Sequence, residues 1–146
     1  ETLLAAWFHD AVYAGKSDDE LNSAQLAVSS LEQFSLSSGL VQSVGDFIID
    51  TTPARLVEDP PTPLAHLLDA DLSIFASSPS RYEQYATAVR AEYLHVADAD
   101  FASGRAHILR SYVAQAFIYR TEAARQLWED RARANLAGEI ERLQLG

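Results

Sequence analysis

Four of the chain's five prolines fall in one stretch, TTPARLVEDPPTP, residues 51–63. Proline lacks an N–H and clashes with the preceding helical turn, so no helix is expected across it. On either side of this stretch, apolar residues recur at helical spacing. Nowhere is there β alternation, an internal repeat or a low-complexity tract. The expectation is an all-α chain, a single-domain helical bundle over residues 1–146.

The segments follow from their punctuation. Residues 2–14 read as one apolar helix. Ser17 and Glu20 form a capping box, Ser at the N-cap and Glu at N3. It opens a second helix with Leu21, Ala24, Leu31 and Phe34 on its apolar face. SLSSGL (35–40) is a break, and 40–50 a third helix. LAHLLDADLSIF (64–75) is a fourth. Ser78 before Pro79 marks another start, the helix running to 93–96. Asp98 caps a helix over 99–115 and Thr121 one over 122–143. In that last helix Arg125, Arg131, Arg133 and Arg142 alternate with Glu and read as a solvated face.

Composition narrows the function classes. The chain has 146 residues, 48% hydrophobic and 22% charged, enough for a sizeable core. Its net charge of -10 argues against nucleic acid and anionic membranes as partners. No apolar run approaches the ~20 residues of a membrane span, and no secretory signal opens the sequence. There is no Cys, which excludes disulfides and thiolate metal sites. These features fit a cytoplasmic protein. There is also no Met, and the sequence begins at Glu1; the expectation is an N-terminally truncated chain.

The chemistry centres on AAWFHDAV, residues 5–12, where His9 and Asp10 interrupt an apolar run. A helix apolar all round is buried, and a buried carboxylate needs a partner. In LLDADL (67–72), Asp71 falls on the stripe marked by Leu64, Leu67, Leu68, Leu72 and Phe75, whereas Asp69 falls off it. Two buried carboxylates and an imidazole suit a divalent cation: Mn, Fe, Co, Ni, Zn or Mg. The plainer alternative is a structural hydrogen-bond site, with Asp10 orienting His9 or capping a helix.

LAAWFHDAVYAGKSDDELNSAQLA, LLDADLSIF, YATAVRAEYLHV and FIYRTEAARQLWEDRARANLAGEIERL resemble the bacterial HD-superfamily metal-dependent phosphohydrolases, in the same order and over nearly the whole chain. WFHDAVY and LDADL are the most specific pieces. The resemblance implies an all-helical HD-type domain with metal ligands in the order His, His-Asp, Asp. By that pattern His9 and Asp10 match the central pair and Asp71 the final Asp. The family's first His lies upstream of the pair, and this sequence starts eight residues before His9. Members also carry a Lys or His after the third helix, where this chain reads Thr51-Thr52-Pro53-Ala54-Arg55.

The implied activity is hydrolysis of a nucleotide or other small phosphate ester by a metal-activated water. Asp10 and Glu20 are the candidate catalytic residues, although Glu20 has the capping box as its simpler role. Lys16, Arg81 and Arg120 are candidates for the substrate phosphate, each with a salt bridge or helix cap as its simpler role. His66, His95 and His107 are assigned to no metal. A homo-oligomer is compatible with the sequence. The competing class is an inactive HD-like helical binding or scaffold protein.

Overall fold

The computed structural model describes residues 1–53, 55 and 57–145. Among them the chain forms α1 (Thr2–Phe8), α2 (Asp19–Leu31), α3 (Ser38–Ile49), α4 (Thr62–Asp71), a 3-10 segment (Leu72–Ala76), α5 (Pro79–Glu92), α6 (Asp98–Val113) and α7 (Glu122–Leu145). No strand occurs among the described residues, and the fold is all-α. No described helix is long and apolar enough to cross a membrane. The chain divides into two compact units, Glu1–Asp71 and Leu72–Gly146.

In the first unit the core is built from Ala24, Ala27 and Leu31 of α2, Val44 and Ile48 of α3, Leu64 and Leu67 of α4, and Ala5 of α1. Helices α2 and α3 pack closely because Gly45 has no side chain; a Cβ there would meet Val28 Cγ2 at 3.0 Å. α3 ends where Thr51 and Thr52 turn their hydroxyls back onto the carbonyls of Ile48 and Ile49, each at 2.7 Å. These bonds satisfy carbonyls that a finished helix leaves without partners.

Several expectations are corrected here. The first helix stops at Phe8 rather than at residue 14. The amides beyond it go to side chains of α2 instead. Ser23 Oγ accepts from Val12 N at 3.0 Å, and Asp19 Oδ2 accepts from Ala14 N and Lys16 N at 2.7 and 3.0 Å. Gly15, at φ 69°, makes the turn a side chain would resist. Nor is α1 buried all round: only Ala5 is buried, while Leu3 and Trp7 are 85% and 82% exposed.

The Ser17–Glu20 capping box does not form. Asp18 is the N-cap of α2, without a side-chain cap bond, and Asp19 uses its carboxylate to hold the preceding loop. The helix expected over 64–75 breaks at Asp71 into a 3-10 segment.

The second unit is centred on aromatic packing and on charged side chains of α7. Phe75 meets Tyr112 edge-on with centroids 5.3 Å apart. The Arg and Glu residues of α7 are not simply a solvated face. Glu129, buried, accepts from the amides of Ile118 and Tyr119 at 3.0 and 3.3 Å. Arg133 donates to Glu129 at 2.7 Å and to the carbonyls of Val113 and Gln115, each at 2.8 Å. Arg125 donates to Tyr119 O at 2.9 Å. These long side chains satisfy the open end of α6 and the loop after it, which an alternation of signs along a helix does not reveal.

Glu139 of α7 is buried as well. It accepts from Arg105 Nε at 2.8 Å and from the Tyr82 hydroxyl. Burial and the adjacent carboxylate push the Tyr82 hydroxyl well above its ordinary range, so it stays a donor. Removing one partner of a buried pair leaves a stranded charge, at a cost of about 3–5 kcal/mol. Arg105→Met is therefore expected to lose about that much stability in chemical denaturation. The triple variant Arg105→Met, Glu139→Leu, Tyr82→Phe, which strands nothing, should be the more stable of the two. A triple variant weaker than the single one contradicts this account.

Candidate functional site

His9 sits one residue past the end of α1 as its C-cap, still helical at φ -57° and ψ -36°, with its amide bonded to Ala5 O. Its ring folds back so that Nδ1 lies 2.9 Å from Ala6 O. A carbonyl can only accept, so Nδ1 carries the hydrogen. Nε2 then points the other way, 3.2 Å from Asp10 Oδ2 and 3.3 Å from Asp71 Oδ1. Asp71 is the last residue of α4, so the imidazole ties the end of α1 to the end of α4.

An unprotonated Nε2 would direct a lone pair at two carboxylate oxygens. That arrangement calls for positive charge between them, either a proton or a cation. Without a cation the proton is held firmly: the His9 pKa is raised from 6.5 to about 9. The Asp71 hydrogen bond contributes most, with the Ala6 carbonyl and the charge of Asp10 adding to it against the opposing effect of burial.

The three expected ligands thus meet, but not in a buried cleft. Their side chains are 21%, 69% and 28% exposed for His9, Asp10 and Asp71. The assignment of faces on α4 is also reversed, since Asp69 is only 4% exposed. The physical reason is the break at Asp71. Asp71 keeps the spacing of Leu64, Leu67 and Leu68, but as the last residue of α4 it lies where the regular helix gives way to the 3-10 segment, and its side chain stays partly open to solvent.

One imidazole with its second nitrogen fixed on a carbonyl, plus two carboxylates, is the chemistry of a borderline divalent site. As arranged, however, both carboxylates approach the same nitrogen, giving a chain with His9 in the middle. Among the described residues, no three His, Asp or Glu side chains form a group that could hold a metal ion. The donor types fit, and the ligand cluster is not preformed.

Of the remaining candidates, Glu20 lies half-buried in the first turn of α2. Lys16 is exposed; its amide is bonded to Asp19, and its charge helps to lower the Asp19 carboxyl. Arg81, exposed on α5, and Arg120, half-buried beside Gln115 at 3.2 Å, belong to the second unit. His66, His95 and His107 are exposed, and His95 stacks on Tyr93.

Asp19 and Ser23 are the residues that sequence reasoning missed. The Lys16 amide, with those of Ala14 and Gly15, holds the Asp19 carboxyl below its ordinary range despite burial. Ser23 also donates back to Val12 O at 3.2 Å. Together, one turn apart on α2, they fix the loop that leads away from Asp10. The doubled acid in SDDE was the available signal, since only one of the two can serve as the cap.

The raised His9 pKa has a definite sign in stability. A group whose pKa rises on folding stabilises fully below its unfolded value of 6.5, and that contribution is lost as pH climbs through about 9. In chelator-treated protein, Asp71→Asn is expected to move the His9 midpoint, followed by NMR of its ring protons, back toward 6.5, and to flatten the loss of stability across that window. An unchanged midpoint shows that Asp71 does not hold the proton.

No protein-family model, curated protein or solved structure matches the chain; the chemistry of the site therefore rests on its own geometry.

Proposed function

We propose that this chain is a metal-dependent phosphohydrolase of HD type, acting on a nucleotide or other small phosphate ester. His9, Asp10 and Asp71 would hold one divalent ion. The observation that carries this reading is the orientation of His9, with Nδ1 spent on Ala6 O and Nε2 facing two carboxylates. A bound ion would supply Lewis-acid charge that lowers the pKa of a water and stabilises the phosphoryl group.

The distribution of charge supports the same reading. The first unit holds twelve Asp and Glu against Lys16 and Arg55 alone. Such a surface repels a phosphate unless a cation sits at the point of contact. Lys16, in the loop that Asp19 holds, is the protein's own cation nearest in sequence to the pair and is the proposed phosphate contact. Asp10, the most exposed of the three ligands, marks the side from which substrate would approach.

A second reading has one observation in its favour. A proton on His9 already satisfies both carboxylates, which is what an inactive HD-like binding protein would retain. The two readings separate by metal linkage. After chelator treatment, Mn, Fe, Co, Ni, Zn and Mg are added singly and unfolding is followed by calorimetry. An ion at a hundredfold excess over Kd stabilises the folded state by about 2.7 kcal/mol, on the order of 5–10 °C in Tm.

The shift should vanish in Asp71→Ala and grow from pH 6 to 9, because the ion must displace the His9 proton. Hydrolysis of small phosphate esters should require the same ion and be lost in Asp10→Ala. Equal shifts in wild type and Asp71→Ala with every ion reduce the effect to screening and favour the binding protein.

A further inference from the structure

We propose that the groove between α2 and α3 docks a cationic amphipathic helix of a partner protein. The groove is open, about 260 Å³, and mostly apolar. α2 faces it with Leu21, Ala24, Val28 and Glu32, residues at successive turns, and α3 with Gly45 and Ile49. The glycine forms part of the lining, next to Val28 of α2. Leu21 remains 47% exposed at one end.

The shape selects a helix. Small-molecule pockets enclose ~300–1,000 Å³ and bury most of their ligand; this one is smaller and open to solvent. It suits a few apolar side chains presented at helical spacing, the helix-in-groove mode. No strand edge among the described residues offers pairing to an extended peptide.

The charge selects the partner. Between Lys16 and Arg55 the sequence has no basic residue; of the acids there, Asp19 is buried on the loop amides and Asp50 pairs with Arg55, which leaves Asp18, Glu20, Glu32 and Asp46. Glu32 lines the groove itself, and Asp46 stands beside it, accepting from the lining residue Gln42 at 3.0 Å. Arg55 is engaged with Asp50 at 2.9 Å. A second copy of the chain would bring the same acidic surface to this groove, and an anionic ligand would be repelled. A helix with apolar residues on one face and Lys or Arg along its flanks complements both the floor and the rim.

The probe is a synthetic peptide of about 18 residues, five turns of helix, with Leu at i, i+3, i+4 and i+7 and Lys on both flanks. It is titrated into the full chain by NMR, alongside a scrambled peptide and one with Glu in place of Lys. Saturable binding is expected, with shifts confined to residues 21–32 and 42–49. Affinity should fall about tenfold or more as salt rises from about 50 to 300 mM. Leu21→Gln and Glu32→Lys, both at exposed positions, should each weaken binding severalfold while leaving Tm unchanged. The proposal is overturned by absence of saturable binding, by equal binding of the scrambled or acidic peptide, by shifts elsewhere, by insensitivity to both variants, or by self-association of the chain through these residues.

Discussion

The contact on which the candidate site depends is the bond from His9 Nδ1 to the carbonyl of Ala6. It uses a carbonyl in the last turn of α1, which the end of the helix leaves available, and in doing so fixes which ring nitrogen faces outward. Everything chemical at the site follows from that choice. With Nδ1 occupied, Nε2 is the only nitrogen left for Asp10 and Asp71, and two carboxylates on one nitrogen hold a positive charge there. The short length of α1 belongs to the same arrangement. Had the helix continued past Phe8, Ala6 O would lie inside the regular ladder rather than at its end.

The loop after the pair is held from the other side. Asp19 and Ser23 place their oxygens on the amides of 12–16, replacing the helix that the apolar run would otherwise make. Apolar pattern and backbone hydrogen bonding therefore disagree over residues 9–14, and the side chains of α2 decide between them. Such local conflict is common where a chain carries a functional group.

The extent to which this was legible in the sequence can be argued residue by residue. The all-α architecture follows from apolar spacing and the proline stretch, and helix starts such as Ser78-Pro79 and Thr121 fall where the punctuation puts them. His9, Asp10 and Asp71 stand within 3.3 Å of one another through His9 Nε2, but the burial that an apolar run implies for them does not follow, because each lies at or beyond the end of its helix. What was not legible are the side-chain-to-backbone bonds. Asp19 against Ser17 as the holder of a loop, or Arg133 as the cap of a helix distant in sequence, depends on which carbonyls and amides are brought within reach. Periodicity carries no information about that.

The two tryptophans divide between the units. Trp7, at 82% exposed, is already in water in the folded protein, whereas Trp128 packs edge-on against Tyr119 with centroids 5.4 Å apart. Intrinsic fluorescence therefore reports chiefly on the second unit. Its emission changes when the Tyr119 contact is lost and is nearly blind to unfolding of Glu1–Asp71, so a single fluorescence transition would describe half of the molecule.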